Sequence, residues 1–374
     1  MSQSAATTPE VVTGLDLPAG SPGGSVELLY DLYAGPSAAL FAQTFMLAGD
    51  PDEVLARPAG PRLHTLPVTG KCLEGPPFWR YVDALAAALR SVIHAPSGAV
   101  IHLQHLAFGA APALLRAFPG HRYLALIHGT DLLSAEGSPT QHAVLREIAR
   151  SATALVVPTM AMADRLIRIH PATRPKAIIH VPWGVPDRLL AAPAPGRSPC
   201  QGALRVLYAG RLTAEKGFGN LLRASCTASD VDLSVAAPPG EYAAAISARS
   251  VLRAVRPNYL GWLPREKLWR AFADHDVLAV PSAVCEAFGL IAIEAQACGL
   301  PVLYQPVPGL REVLGGTAIP VDLHATRALA NTLAWLRGDP TALRDLSTVG
   351  RCNAARFPLS RTAAALTELT RRLA

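Results

Sequence analysis

Two glutamates, Glu286 and Glu294, stand eight residues apart in the stretch PSAVCEAFGLIAIEAQACGLPVL, which runs from Pro281 to Leu303. From Leu290 to Leu300 the residues are small and apolar, as in a helix packed on both sides, yet Glu294 sits in the middle. Burying an ionised carboxylate without a partner costs several kcal/mol, so the group is paired, protonated or given a ligand. The preceding run DVLAV reads as a buried strand ending at Pro281 and Ser282. Glu286 then falls in the following loop, and a helix begins near Phe288 and Gly289 with Glu294 one turn inside. Such a helix start places N–H groups and a carboxylate before the same ligand. A phosphorylated, polyhydroxylated molecule fits: phosphates take N–H donors and hydroxyls take carboxylate acceptors. For a lone helical glutamate the competing reading is a structural salt bridge; two glutamates flanking AFGLIAI after a buried strand favour the ligand.

A second constellation lies in YAGRLTAEKGFGNLL, where Arg211 and Lys216 stand five residues apart at a strand-to-helix junction. Two cations and a Gly-rich backbone there can grip a diphosphate. A third is Gly23-Gly24, ahead of Ser25, which can bring backbone N–H groups and a helix N-terminus to an anion. Two common signatures are excluded. GFGNLL lacks the third glycine of a dinucleotide fingerprint, and TGKC around Lys71 has Thr65 where a phosphate-binding loop needs its first glycine.

These residues need elements to hold them. Short β-rich runs alternate with helical patterns along the whole chain, the sequence form of a parallel sheet covered by helices on both faces. The strand candidates are VVTGLDL, FAQTFMLAG, AVIHLQHL, RYLALIHG, ALVVP and KAIIHVP, then LRVLYAG, DLSVAA, NYLG, DVLAVPS and PVLYQ. Residues 191–203 are rich in Pro, Gly and Ser and read as a linker. The expected layout is α/β, with two Rossmann-like parallel-sheet domains facing a central cleft: an N-terminal domain over 1–190, the linker, a C-terminal domain over 204–355, and a last helix over 356–374 packing back on the N-terminal domain. Ligands in such folds bind after the C-terminal ends of strands, which is where all three constellations fall.

The 374 residues suit two domains, and with 50% hydrophobic and 17% charged residues the chain favours large cores over disorder. The formal charge of +6 can attract an anion, but the cations are scattered and no basic block with interleaved aromatics marks a nucleic-acid groove. The six cysteines show neither a C-x-x-C pair nor histidines at zinc spacing, and read as reduced thiols of a cytoplasmic protein. The first residues lack a signal-peptide pattern, and no uncharged apolar run reaches membrane-spanning length, so no stable membrane insertion is expected. The oligomeric state is not legible.

GRLTAEKG, followed some way on by EAFGLIAIEAQACGLPVL, closely resembles the retaining GT-B glycosyltransferases, in particular glycosyltransferase family four, whose E-x7-E motif is matched by Glu286 and Glu294. The N-terminal half is similar in its Gly-Gly loop and in HGTD, His128 to Asp131. The resemblance implies a nucleotide-sugar donor on the C-terminal domain. Glu294 would take the ribose hydroxyls. Glu286 and the backbone around Phe288, Gly289 and Leu290 would take the sugar, and Arg211 and Lys216 the diphosphate, with Gly210 beside the donor. His128 would lie by the transferring sugar, Gly23 and Gly24 near phosphates or acceptor, and Asp131 in the acceptor loop. It further implies front-face attack by an acceptor hydroxyl, with no enzyme nucleophile; since Arg211 and Lys216 supply the charge that a metal would bring, no cofactor and no metal are expected.

Three rivals compete with this activity. A sugar-nucleotide 2-epimerase of the same fold turns over donor without acceptor. A metal-dependent transferase needs D-x-D, which occurs at Asp50–Asp52, Asp230–Asp232 and Asp274–Asp276 in contexts that read as chance. A non-catalytic binding protein has no use for His128 and Gly24. For the acceptor, Glu27, Glu74, Asp131 and Glu136 make an acidic neighbourhood suited to a cationic aminocyclitol. LDLPAGSPGGSVELLYDLY also resembles transferases of aminoglycoside-antibiotic pathways that glycosylate 2-deoxystreptamine, often from UDP-N-acetylglucosamine; UDP-glucose is the other candidate donor. An inositol-phosphate acceptor is the alternative within the family.

Overall fold

A computed structural model describes residues 10–49, 60–173, 177–193, 202–227, 230–247, 257–323 and 325–374. Most of the expected linker, Cys200 and the Asp50–Asp52 pair lie outside the described residues. The chain forms two compact units. It passes from the first to the second between Pro182 and Trp183, within VPWGVP, and returns to the first between Pro358 and Leu359. The crossing thus comes earlier than the Pro-rich segment suggests, because Trp183 and Val185 are already buried in the second unit.

The first unit is built on β1 (Val11–Pro18), β2 (Ala42–Leu47), β3 (Leu63–Leu66), β4 (Val100–Gln104), β5 (Arg122–Leu126), β6 (Ala154–Val157) and β7 (Ala177–His180). All neighbours pair in parallel, in the order β3-β2-β1-β4-β5-β6-β7. Strand β4 is buried at every position, as a strand covered on both faces must be. Helix Gly75–Val92 buries Phe78, Tyr81, Val82, Leu85, Ala86 and Leu89, one stripe at helical spacing, and starts on prolines that need no N–H partner. Ser138 and Thr159 cap two further helices through their hydroxyls. The C-terminal helix Leu359–Leu373 belongs to this unit: Thr362 donates to the Pro182 carbonyl at 2.8 Å and Thr370 meets His102 at 2.9 Å.

The second unit carries β8 (Leu204–Ala209), β9 (Val231–Ala236), β10 (Asn258–Gly261), β11 (Val277–Val280), β12 (Val302–Tyr304) and β13 (Ile319–Pro320), again parallel, in the order β10-β9-β8-β11-β12-β13. Val206, Tyr208, Leu221, Val235, Val277, Leu303, Leu329 and Leu333 form one core on a face of this sheet. In each sheet the strand order reverses once, between β1 and β4 and between β8 and β11. Loops leaving two strands in opposite directions open a crevice at that switch point. No helix among the described residues is long and apolar enough to cross a membrane.

Candidate active site

At the switch point of the second unit, β8 leads into Gly210, whose φ of 150 suits only glycine, then Arg211 and a short 3-10 turn, Ala214–Lys216. From β11 the chain passes Pro281 and Ser282 to Glu286, and then enters helix Leu290–Ala297 through Gly289 at φ 81. The two loops are stitched together. Ala283 N–H donates to the Glu215 carbonyl at 2.8 Å, and a Cβ on Gly217 would lie 2.1 Å from the Pro281 carbonyl oxygen. On the other side a Cβ on Gly309 would lie 2.1 Å from the Glu286 carbonyl oxygen. Glu286 is therefore carried on backbone clamped between neighbours that must be glycine.

The clamp brings Lys216 and Glu286 together. The ammonium donates to Glu286 Oε2 at 2.6 Å, and the Ser282 hydroxyl donates to the same oxygen at 2.9 Å. Both contacts fall on Oε2, so Oε1 retains its acceptor capacity toward a hydroxyl, while an ammonium with three N–H bonds keeps donors for an anion. Arg211 lies 3.9 Å from Glu215 with its side chain one-third exposed. Its carbonyl accepts from the Tyr208 hydroxyl, and Leu212 N–H donates to Glu241 at 2.5 Å. Burial raises the Tyr208 hydroxyl pKa, as do the nearby Glu241 and Glu286 carboxylates, with Arg211 opposing. Arg211, Glu215, Glu241 and Glu286 thus converge within electrostatic reach of one phenol. The Phe288 ring is buried against Phe357, with centroids 5.2 Å apart, which leaves its backbone as the part able to meet a ligand.

Glu294 is 4% exposed and is held by protein groups. Arg265 donates to Oε1 through Nε at 3.1 Å and through a terminal nitrogen at 2.6 Å, and Trp269 Nε1–H donates to Oε2 at 2.9 Å. The pairing that a buried carboxylate needs is therefore supplied within the protein, by a guanidinium and an indole. Both come from helix Arg265–Ala273, four positions apart on one face, a signal present in REKLWRAFADH once that helix is known to pack on Glu294.

The first unit has its own switch-point cluster, which the motifs of the sequence largely fail to mark. Asp16, in β1, is 2% exposed; its carboxylate takes Lys71 Nζ at 3.1 Å, Gly109 N–H at 3.0 Å and the Tyr81 hydroxyl at 3.5 Å, and Lys71 also donates to the Asp16 carbonyl at 2.7 Å. After β4, His105 and Phe108 adopt φ of 72 and 68, a left-handed conformation costly for side-chain-bearing residues and frequent where a loop serves a site. The His105 and His128 rings lie 4.5 Å apart, and His128 Nε2 meets Gln104 Oε1 at 2.9 Å.

Asp131 differs from its expected place. Fully buried, it accepts from Leu106 N–H at 2.8 Å, Gly129 N–H at 2.7 Å and His128 N–H at 3.4 Å, which commits the carboxylate to holding the loop rather than displaying it to an acceptor. Gly129 stands at the N-cap of the helix Thr130–Gly137. Glu136 is likewise engaged, by Arg165 at 3.1 Å. Gly23 caps helix Gly24–Leu29 at φ 147, with open space where a Cβ would stand. Of the D-x-D aspartates, Asp230 pairs with Arg337 at 2.9 Å and Asp276 with Arg205 at 2.7 Å.

Burial holds the imidazoles of His102, His105 and His128 down to about 3, with Lys71 adding to the effect at His105 and His105 at His128. In the unfolded chain they titrate near 6.5. Between these values the unfolded state binds more protons, so stability is full above about pH 6.5 and is lost as pH falls toward 3. Urea midpoints measured from pH 7 down to 4 should decrease steadily; a flat profile would show that these rings are not neutral and buried.

Residues 201–351 match the family described as glycosyl transferases group 1, and residues 23–184 match the glycosyl transferase 4-like domain. The second match covers the first unit from residue 23 and runs just past its border at Pro182; the first match lies within the second unit. The chain has the two domains of the GT-B fold, each matching a glycosyl transferase family model. This GT-B chain is 34% identical over 216 residues to a D-inositol 3-phosphate glycosyltransferase of Mycobacterium sp. strain KMS, a match covering 53% of this chain and 48% of that protein. It thus spans about half the length of that relative. It is 27% identical over 394 residues to D-inositol 3-phosphate glycosyltransferase 1 of Catenulispora acidiphila, covering 92% and 91% of the two chains. Among solved structures, sucrose-phosphate synthase from Thermosynechococcus elongatus superposes with a TM-score of 0.74 at 22% identity, over 98% of this chain and 99% of that one. Anabaena HepE in complex with UDP and glucose does so with a TM-score of 0.74 at 18% identity, over 98% and 100%. At these identities the structures speak to the GT-B fold.

Proposed function

We propose that the chain is a retaining glycosyltransferase of family four that moves a hexose or N-acetylhexosamine from a UDP-sugar to a small cyclitol acceptor. The observation that carries this reading is the Lys216–Glu286 pair at 2.6 Å, at the switch point of the unit that matches glycosyl transferases group 1. Transfer with retention builds positive charge at the anomeric carbon and negative charge on the leaving diphosphate. A cation fixed where the negative charge develops is the largest lever an enzyme commonly has. Lys216, with Arg211, supplies that charge. Glu286 orients sugar hydroxyls through Oε1, and the acceptor hydroxyl attacks on the leaving-group face and gives its proton to the departing phosphate oxygen.

The relatives named above favour an inositol phosphate as acceptor, with Lys71 as the cation available to a phosphate at the first unit's switch point. A second reading, a 2-deoxystreptamine acceptor in an aminoglycoside pathway, is favoured by the segment LDLPAGSPGGSVELLYDLY and by Asp16, a buried carboxylate that already binds one ammonium. The deciding experiment offers UDP-N-acetylglucosamine and UDP-glucose with inositol 3-phosphate or with 2-deoxystreptamine, and reads the product by mass and NMR. An α-linked product with one acceptor selects that reading. A β-linked product excludes retention, and donor conversion without acceptor selects the epimerase.

With fixed cations at the diphosphate, turnover is expected to persist in EDTA. Loss of activity in EDTA that manganese restores would transfer the charge-stabilising role to a metal.

A further inference from the structure

Gln104, the last residue of β4, is 3% exposed and takes part in a hydrogen-bond chain whose direction valence alone determines. The Thr13 hydroxyl donates to the His102 carbonyl at 2.8 Å across the β1–β4 pairing. A hydroxyl has one hydrogen and a carbonyl only accepts, so Thr13 Oγ1 can meet a second neighbour solely as an acceptor. That neighbour is the Gln104 side chain at 3.0 Å, which must therefore turn its NH2 end to Thr13. With the NH2 end so placed, Oε1 faces His128 Nε2 at 2.9 Å. An amide oxygen has no proton to give, so Nε2 carries it.

We propose that Gln104 is a positioning residue that fixes His128 as the neutral Nε2–H tautomer, so that any group meeting Nδ1, a substrate hydroxyl included, must donate a hydrogen bond to it. The substrate clause rests on the transferase reading; the tautomer does not. Which nitrogen of an imidazole is protonated is set by the hydrogen bonds the ring makes, and here the partner is traced through two side chains to a backbone carbonyl. The surroundings agree. Among the described residues, the charged and titratable groups that act on this ring include His105, its centroid 4.5 Å away, and Asp131, whose carboxylate takes the N–H groups of His128 and Gly129; Lys71 acts on His105 in turn. Burial and His105 oppose a second proton more strongly than Asp131 favours it.

The test is nuclear magnetic resonance of the full chain labelled with 15N-histidine, with the His128 signals assigned by their loss in His128→Asn. In the wild-type protein His128 should show a protonated Nε2 and an unprotonated Nδ1, without titration, between about pH 5 and 8. In Gln104→Met the preference should be lost and the Nδ1–H form should appear. In Gln104→Glu the added carboxylate should bring imidazolium into the same pH window. With an active donor pair, kcat/KM of Gln104→Met should fall up to about tenfold, the worth of one neutral hydrogen bond. A wild-type His128 that is Nδ1–H, mixed or charged overturns the proposal, as does a folded Gln104→Met that stays purely Nε2–H. Should either variant fail to fold, the wild-type spectrum decides. Because the spectrum is read without substrate, failure to find a sugar donor counts against the proposed function and leaves the tautomer result intact.

Discussion

Glu294→Ala is expected to destabilise the second unit by about 3–5 kcal/mol, the usual cost of breaking a buried ion pair by removing one partner. The side chains of Glu294 and Arg265 are only 6% and 11% exposed, and the carboxylate accepts two guanidinium bonds and one indole bond. Alanine would remove the carboxylate that pairs with the Arg265 guanidinium and that accepts from the Trp269 N–H. Replacing both ions, as Glu294→Leu with Arg265→Leu, should recover most of the loss, since an apolar pair of similar volume carries no desolvation penalty. Urea unfolding of the three variants measures this directly. The ribose role implied by the family resemblance has a separate readout. Where the single variant is still folded, calorimetry should show UDP binding weakened by about 1.5–3 kcal/mol if the carboxylate also takes ribose hydroxyls. Unchanged stability would remove the structural role, and unchanged UDP affinity would remove the ribose.

Glu294 also shows what the sequence can and cannot reveal. Its burial is readable from LIAIEAQACGL, because small apolar residues before and after it on every face of the helix leave the carboxylate no side that meets water. Its partners are not readable, because Arg265 and Trp269 come from a helix far back along the chain whose packing no local pattern specifies. Most strands are legible for the reason that makes them buried: a parallel sheet covered on both faces needs continuous apolar runs such as VIHLQ and VLAV. Strand β3, LHTL, escapes notice as a short edge strand with mostly half-exposed residues, and β13 spans only Ile319–Pro320.

The same limit applies in the first unit. HGTD directs attention to His128 and Asp131 as parts of a site, but Asp131 turns inward to backbone N–H groups. The residues at the switch point, Asp16, Lys71, Gln104 and His105, sit in β1, in a loop before a helix and at the end of β4. Only the strand order β1-β4 brings them together. A buried Asp within VVTGLDLP, whose β-strand context gives an aspartate no reason to be there, is the signal that the sequence offers.

Lys216→Ala and Glu286→Ala should each lower kcat by about 10²–10³-fold, the loss typical for one fixed group that stabilises charge in a transition state. Since the ammonium and the carboxylate hold each other at 2.6 Å, removing either misplaces the other, and the double variant should be little worse than the worse single variant. Glu286→Gln separates charge from position. The amide oxygen can still accept from Lys216 and Ser282, so the geometry is kept while the negative charge is lost. A kcat for Glu286→Gln near that of Glu286→Ala would assign the effect to charge, whereas near wild-type turnover would assign it to orientation of the sugar. Arg211→Ala tests the second cation. Its nearest carboxylate is Glu215 at 3.9 Å, a loose pair that a diphosphate can outcompete, so a loss of about 10²-fold is expected if the guanidinium reaches the leaving group. Single-turnover rates with saturating donor keep binding out of the comparison. Unchanged rates in Lys216→Ala would reduce the pair to a structural salt bridge, and with it would go the observation on which the proposed chemistry stands.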